Sequence, residues 1–167
     1  MKALAALALL ALAPLTAGCG LHPLYADGSK GPVARTLGTI EVGAIGGKAG
    51  WLMRNALVDR LGKTGAPQYR LEVELDDQIL GIGVRTDNTV TRERRTLRAR
   101  YRLVDAERGT VLLDATAGSD AGIDVVTSEY AVIAAEQTAL ERLSGEVADQ
   151  IVARIALYAT RTKPAAR

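Results

Sequence analysis

The single cysteine is the first residue whose chemistry can be examined. Cys19 is the only cysteine in 167 residues, and it follows an apolar run from Ala3 to Ala13. A lone cysteine cannot form a disulfide within its own chain. Its thiol could be a nucleophile, half of an intermolecular bridge, a small buried side chain or a point of covalent attachment. The sequence "LTAGC" favours attachment, because small residues directly before the cysteine are typical of the lipobox of bacterial lipoproteins.

Residues 1–18 have the parts of a lipoprotein signal peptide. Lys2 supplies a positive charge, an apolar stretch follows, and "TAG" supplies small residues for cleavage. The apolar stretch is shorter than the roughly 20 residues that span a bilayer. We therefore predict cleavage before Cys19 and a lipid on its thiol, with an ordinary secretory signal as the alternative. Gly20 resembles the sorting pattern of outer-membrane lipoproteins, because inner-membrane lipoproteins often carry Asp there.

The histidine, cysteine and aspartate residues of the sequence do not form a pattern typical of a catalytic or metal-binding site. His22 is the only histidine, so neither a Ser–His–Asp or Cys–His arrangement nor a His/Cys metal cluster can be assembled. "GKT" at 62–64 resembles the end of a phosphate-binding loop, but Leu57 stands where that loop requires glycine. Asp76 and Asp77 are neighbours on a predicted strand and point to opposite faces. We expect no enzyme, no metal and no cofactor other than the covalent lipid.

The elements that position these residues follow from the periodicity of apolar residues. Glycine, proline and polar residues predict an extended tether over 19–36, before a domain of residues 37–160 and a flexible tail of residues 161–167. The predicted elements are a strand at Thr39–Val42, a helix at 48–61 ended by Gly62, strands at 69–79, 96–103 and 110–116, a loop at 117–127, and a helix at Ser128–Ala159 that could bend at Ser144-Gly145. The order predicts an α+β fold, with two helices packed on one face of a four-stranded, mostly antiparallel sheet.

The two middle strands form a predicted hairpin. Apolar residues occupy odd positions on both strands, so the numbers of paired residues must sum to an even value. A hairpin centred on Thr86 gives a sum of 172, to within two. That register pairs the following residues: Leu75 with Leu97, Val73 with Ala99, Leu71 with Tyr101, Glu74 with Arg98 and Glu72 with Arg100.

Arginines cluster near the turn of this hairpin. Arg92 and Arg94 have no acidic residue opposite in the predicted register, and Arg85 and Arg95 add positive charge close by. The planar guanidinium group binds phosphate and carboxylate groups through two parallel hydrogen bonds. These four arginines are therefore candidates for an anion site. The alternatives are a solvated turn and a contact with acidic groups of a partner.

Several short segments resemble the LptE family of lipopolysaccharide-assembly lipoproteins. They are "CGLHPLY" at 19–25, "RNAL.DRL" in the first helix, "Y.LEV.L" in the second strand, "TR" at 91–92, "A.Y.L.D" at 99–105, and "SEYA" before the long helix. The resemblance implies an outer-membrane lipoprotein, carrying palmitate on Cys19, that plugs the lumen of an LptD-type β-barrel translocon. It also implies that the protein aids assembly of the barrel and binds lipopolysaccharide, for which Arg85, Arg92, Arg94 and Arg95 become the candidate contacts.

A second class of function fits the same signal peptide and a small α+β domain. The chain could be a periplasm-facing auxiliary lipoprotein of an ABC-type transport system, or an envelope scaffold. Nucleic acid is not an expected partner, because the formal net charge is only +2.

The lipobox generates a direct prediction about membrane attachment. Replacing Cys19 by alanine should abolish incorporation of labelled palmitate and stable membrane attachment, because the diacylglyceryl group on the Cys19 thiol provides the anchor. The domain should stay folded, because its core strands and helices lie far along the chain from the tether. Labelling of wild type and Cys19→Ala to the same extent would show that Cys19 is not the lipidation site.

Overall fold

One four-stranded sheet, with the strand order β1-β2-β3-β4, organises the fold. The structure is a computed structural model that describes residues 31–62, 65–84 and 90–161. Its elements are α1 (Pro32–Leu37), β1 (Ile40–Val42), α2 (Gly47–Leu61), β2 (Tyr69–Val84), β3 (Val90–Asp105), β4 (Val111–Asp124) and α3 (Glu129–Arg161). β1 pairs with β2 in parallel, and the other two pairs are antiparallel. The predicted α+β class and mostly antiparallel sheet are confirmed.

Odd-numbered residues of β2 and β3 form the covered face of the sheet, which packs under the helices. On β3 the buried residues are Leu97, Ala99, Tyr101 and Leu103. Above them, α3 buries Leu143, Val147, Ile151 and Ile155 at helical spacing. Because side chains alternate along a strand, the even-numbered residues of β2, β3 and β4 form an uncovered face, which we call the open face.

The helices α2 and α3 lie side by side and run in the same direction. Lys48 donates to Gln137 near the start of α2, and Arg60 donates to Asp149 near its end. In each pair the two residues are 89 positions apart in the sequence. A constant separation of this kind is expected for two helices that run in parallel. α2 therefore lies beside α3 only from about Gln137 onward, and the first two turns of α3 extend beyond it.

The end of α2 and the course of α3 can be compared with the sequence. Gly62 ends α2 as predicted: it adopts φ +85°, which glycine tolerates, and its N–H donates to the Val58 carbonyl. α3 continues unbroken through Ser144 and Gly145 for 33 residues, or about 50 Å. The Ser144 hydroxyl donates to the Leu140 carbonyl within the helix.

Two predicted irregular segments are wrong in part. Residues 117–124 continue β4 rather than forming a loop, because Ala121 and Ile123 are buried at odd positions while Gly118 and Gly122 lie on the open face. At the end of the predicted tether, residues 32–36 belong to α1, which buries Val33 and Leu37. The rest of the tether, the signal peptide, Cys19 and residues 162–167 lie outside the described residues.

In the observed hairpin register, each β2 residue pairs with a β3 residue two positions further along the chain than predicted. Val73 pairs with Tyr101 and Glu74 with Arg100, so that paired numbers sum to 174 rather than 172. The odd-with-odd pairing is correct, because burial of one face fixes it. The centre of the pairing therefore moves from residue 86 to residue 87, and two irregularities, between Gly81 and Gly83 and between Gly83 and Val84, offset each other.

The observed register predicts which charge reversals compensate each other. Arg102 Nη2 lies 3.3 Å from Glu72 Oε2, whereas Arg100 hydrogen-bonds Asp114. Arg102→Glu should lower the thermal midpoint, and adding Glu72→Arg should recover part of it, at roughly 0.2–1 kcal/mol for the pair. Glu72→Arg should not rescue Arg100→Glu. Rescue of Arg100→Glu but not of Arg102→Glu would support the 172 register instead.

The ion pair between α2 and α3 predicts a pH dependence of stability. Arg60 donates to both carboxylate oxygens of Asp149, at 2.6 and 3.0 Å, and this hydrogen bonding lowers the pKa of Asp149. A lowered native pKa stabilises the fold above the usual aspartate value of about 3.9, and the benefit is lost as the pH falls through the native pKa.

At neutral pH, Asp149→Asn should therefore reduce the free energy of unfolding by about 0.5–1 kcal/mol, a range suited to an exposed pair. Chemical denaturation across a pH series should show that the gap between wild type and variant closes below about pH 4. A gap that persists unchanged to about pH 2 would mean that the charge of Asp149 is not responsible.

Candidate functional site

Arginines of β3 form a row along the open face. They alternate with residues of the covered face and lie between β2 and β4, both of which carry acidic residues. The row consists of Arg92, Arg94, Arg98, Arg100 and Arg102. This placement brings two of the predicted anion contacts, Arg92 and Arg94, onto one face at the end of the hairpin.

Acidic residues of β4 lie near both of these arginines. Arg92 Nε is 3.2 Å from Asp124 Oδ1, and Arg94 Nε is 3.9 Å from Asp120 Oδ2. On β2 neither arginine faces an acidic residue, as predicted, because Arg94 pairs with Leu80 and Arg92 with Gly83. The nearby acids belong to β4, and the predicted loop at 117–124 did not indicate them. Both arginine side chains remain more than half exposed, and such pairs contribute only about 0–1 kcal/mol. An anion that displaces an aspartate can still reach these guanidinium groups.

Arg95 occupies a different environment, on the covered face. Its guanidinium donates to both Asp77 carboxylate oxygens, at 2.8 and 2.5 Å, and to the Glu136 carbonyl of α3 at 2.9 Å. The side chains of Arg95 and Asp77 are 11% and 22% exposed. Hydrogen bonding to Asp77 raises the pKa of Arg95 further above its usual value. Arg95 thus links the hairpin to the start of α3, and it does not share a face with Arg92 and Arg94.

The sequence contains a signal for this ion pair that is separate from the apolar pattern of the hairpin. Arg95 and Asp77 are both odd-numbered, like the buried apolar residues of their strands. Two opposite charges at core positions of neighbouring strands predict a paired, partly buried contact. The fourth arginine, Arg85, lies outside the described residues.

Exposed apolar side chains accompany the arginines at this end of the hairpin. Leu80 lies directly opposite Arg94 on the open face and is 66% exposed. Ile82, beside the bulge, and Tyr130 and Ile133, in the first two turns of α3, are also exposed. We call the region formed by Ile79–Val84, Val90–Arg95 and Ser119–Asp124 the hairpin end. It combines accessible cations with accessible apolar surface.

The N-terminal side of the domain lies at the opposite end of the sheet. Thr36 of α1 lines a small cavity with Tyr69 at the start of β2 and Ile155 near the end of α3. The 16 residues of β2 separate this end from the hairpin end by about 50 Å. The first described residues of the domain therefore lie at the end remote from Arg92 and Arg94.

The described residues contain neither a metal-type cluster nor a helix that could span a membrane. In residues 31–62, 65–84 and 90–161, no group of three or more His, Cys, Asp or Glu side chains is arranged to hold a metal ion. The helices in this part of the chain all fall short of the length and apolarity needed to cross a membrane.

Comparison with solved structures shows where the same fold occurs. A candidate lipoprotein from Caulobacter crescentus CB15 is 31% identical, with a TM-score of 0.68, over 81% of this chain and 100% of that chain. Rare lipoprotein B from Shewanella oneidensis is 8% identical, with a TM-score of 0.59, over 75% and 98% of the two chains. An uncharacterised lipoprotein B from Nitrosomonas europaea is 14% identical, with a TM-score of 0.57, over 72% and 82%. The last two show the fold alone.

The comparison of sequences identifies the family. Curated protein sequences gave no match. The family model described as "LptE: Lipopolysaccharide-assembly" matches residues 37–155, which include β1 to β4 and most of α3. The suspected resemblance is confirmed, and the chain belongs to the LptE family of lipopolysaccharide-assembly proteins.

Proposed function

We propose that this protein is an outer-membrane lipoprotein that plugs an LptD-type β-barrel translocon, aids its assembly and binds lipopolysaccharide at the hairpin end. Membership of the LptE family supports an assembly role. A binding function also suits a chain whose described residues offer charged and apolar surfaces rather than a catalytic arrangement. Palmitate on Cys19 would hold the protein at the membrane.

The observation that carries lipopolysaccharide binding is the pairing of Leu80 with Arg94 on the open face. Lipopolysaccharide presents phosphate and carboxylate groups next to acyl chains. The hairpin end offers arginine for the anions and the exposed Leu80 and Ile82 for the apolar part. Arginine suits this role because it can replace a weak contact to aspartate with two hydrogen bonds to a phosphate.

The open face supports the proposal of a plug. Its arginines on β3 lie between carboxylates of β2 and β4, so opposite charges alternate across the sheet. The interior of large outer-membrane barrels is polar, and the charged rows on this face are compatible with such a wall. The interior wall would also meet the exposed polar residues of α2 and α3 on the other side of the domain.

The dimensions of the chain are compatible with an anchor at one end and a binding site at the other. Residues 19–30 can span at most about 40 Å when fully extended. The sheet adds about 50 Å to the hairpin end, and the apolar band of a barrel is only about 25 Å tall. A lipid in the inner leaflet therefore permits the hairpin end to reach far into the lumen.

The proposed site predicts the effect of removing its two described arginines. The full-length variant Arg92→Gln/Arg94→Gln should bind lipopolysaccharide at least tenfold more weakly than wild type at low salt, because hydrogen bonds to charged groups contribute about 1.5–3 kcal/mol each. Its thermal midpoint should change little, because both residues make only weak surface pairs. Added salt should weaken wild-type binding as well.

Arg108→Gln provides the matched control. Arg108 is a highly exposed arginine in the turn between β3 and β4, at the end remote from the hairpin, with an equally weak contact to Asp105 at 3.9 Å. It should retain wild-type binding. Loss of binding to the same extent in both variants would indicate a general charge effect, and unchanged binding in the Arg92/Arg94 variant would place the site elsewhere.

A further inference from the structure

The outer edge of β2 is open over most of its length. β1 pairs only with Tyr69–Leu71. There the Tyr69 N–H donates to Thr39, and the Leu71 carbonyl accepts from Gly43. Alternation places the N–H and C=O groups of the next odd-numbered residues, Val73 to Ile79, on the same side. In the described part of the chain no strand pairs with this side beyond Leu71. The edge can therefore accept another extended segment.

The other edge of the sheet, on β4, is closed at its centre. The Gln150 side chain of α3 accepts from the Gly118 N–H at 3.3 Å and donates to the Gly118 carbonyl at 3.2 Å. One amide side chain thus makes the two bonds that a neighbouring strand would make. Ser119, the next residue, donates to Glu146 of the same helix. The sheet therefore has one edge occupied by α3 side chains and one edge available.

The available edge, on β2, differs from the β4 edge in how many arginines neutralise its acidic residues. Three arginines on the open face of β3 turn toward β4: Arg92, Arg94 and Arg100 pair with Asp124, Asp120 and Asp114. On the same face Arg102 turns toward β2, where Glu72 and Glu74 share it at 3.3 and 3.6 Å. Arg98 stands opposite Asp76 in the register, but among the described residues it makes no ion pair.

The carboxylates of β2 next to the available edge consequently have few cationic partners. Asp76 accepts hydrogen bonds from Gln78 and makes no ion pair among the described residues. Glu74 is 73% exposed, and the shared Arg102 is its one ion-pair partner in that part of the chain. An added strand would bring its own side chains opposite these carboxylates, where like charges destabilise and opposite charges stabilise the pairing.

A second copy of this chain is a poor occupant. Antiparallel pairing of two β2 edges would place the rows containing Glu72, Glu74 and Asp76 against each other. Such charges are a known means of preventing edge-to-edge association. An incoming segment with lysine or arginine at alternate positions would meet the opposite charge at each pair.

We propose that the β2 edge from Val73 to Ile79 is a docking site for an extended segment of a partner protein that carries Lys or Arg at every second residue. The segment adds as a strand beside β2, in line with β1. Its backbone bonds to the outward groups of the odd-numbered residues, and its cations face Glu74 and Asp76. This site lies on a different part of the molecule from Arg92 and Arg94 and does not depend on lipopolysaccharide binding.

The test uses the full-length protein in detergent and a short synthetic peptide of alternating lysine and valine, with a glutamate–valine peptide as control. In a fluorescence anisotropy titration the lysine–valine peptide should bind to the protein, and the glutamate–valine peptide should not. Glu74→Gln/Asp76→Asn should weaken its binding by about 2- to 30-fold, the range expected for two cross-strand charge pairs. Glu107→Gln, a carboxylate change in the turn after β3, should leave binding unchanged.

A backbone variant separates strand addition from simple charge attraction. Ile79 is partly exposed, and its N–H points outward, so Ile79→Pro removes a donor needed by the added strand without breaking the β2–β3 ladder. Ile79→Thr keeps the donor. Weaker binding in Ile79→Pro than in Ile79→Thr is expected, with similar thermal midpoints. Equal binding in these two variants, equal binding of both peptides, or a concentration-dependent dimer that masks the edge would overturn the proposal.

Discussion

The packing of α3 on the sheet is the constraint on which the rest of the structure depends. Leu143, Val147 and Ile151 of α3 are completely buried above the odd-numbered side chains of β3. Burying these side chains contributes on the order of 1.5–3 kcal/mol each. A shift of β3 by one residue would expose the whole apolar row. The contact therefore fixes which residues of the sheet face the helices and, as a consequence, which face outward.

The charged surface follows from that constraint. With odd positions buried, the even-numbered arginines of β3 must lie together on the open face, and the acidic residues of β2 and β4 must lie on either side of them. Arg95 is the exception, because it is odd-numbered. It is accommodated by two bonds to Asp77 and one to the Glu136 carbonyl, which hold the hairpin against the part of α3 that extends beyond α2. The bond from Arg95 to the Glu136 carbonyl thus holds the hairpin end against α3.

Strand and helix positions could be predicted where the apolar pattern is strong. The alternation in Tyr69–Leu75 and Leu97–Leu103 and the stripe along α3 gave the fold class and the pairing of odd with odd positions. The second half of β4 was missed because "AGSDAG" consists of residues that favour turns. These residues form a strand here because tertiary contacts override their local preference. α1 was missed because a helix of six residues is too short to show a periodic pattern.

The candidate site could be predicted only in part, because part of it depends on tertiary contacts that local sequence preference does not reveal. Arg92 and Arg94 were identified from their charge and their place near the turn. Their aspartate partners on β4 depended on a strand that local propensity did not indicate. The register error arose because the hairpin is centred on residue 87 rather than on residue 86: Val84 pairs with Val90, and the pairs on both sides of the irregularity near Gly83 sum to 174. Apolar alternation does not detect a shift of two residues, because such a shift leaves the same side chains on the covered face.

The central claim is that this lipoprotein functions as a subunit of an outer-membrane barrel that exports lipopolysaccharide. Affinity purification of the tagged full-length protein in mild detergent, followed by mass spectrometry of the intact complex, tests it most directly. The account predicts a stable complex with one LptD-type β-barrel of much larger mass. Recovery of inner-membrane transport components without such a barrel would contradict the account and favour an auxiliary role in an ABC-type system.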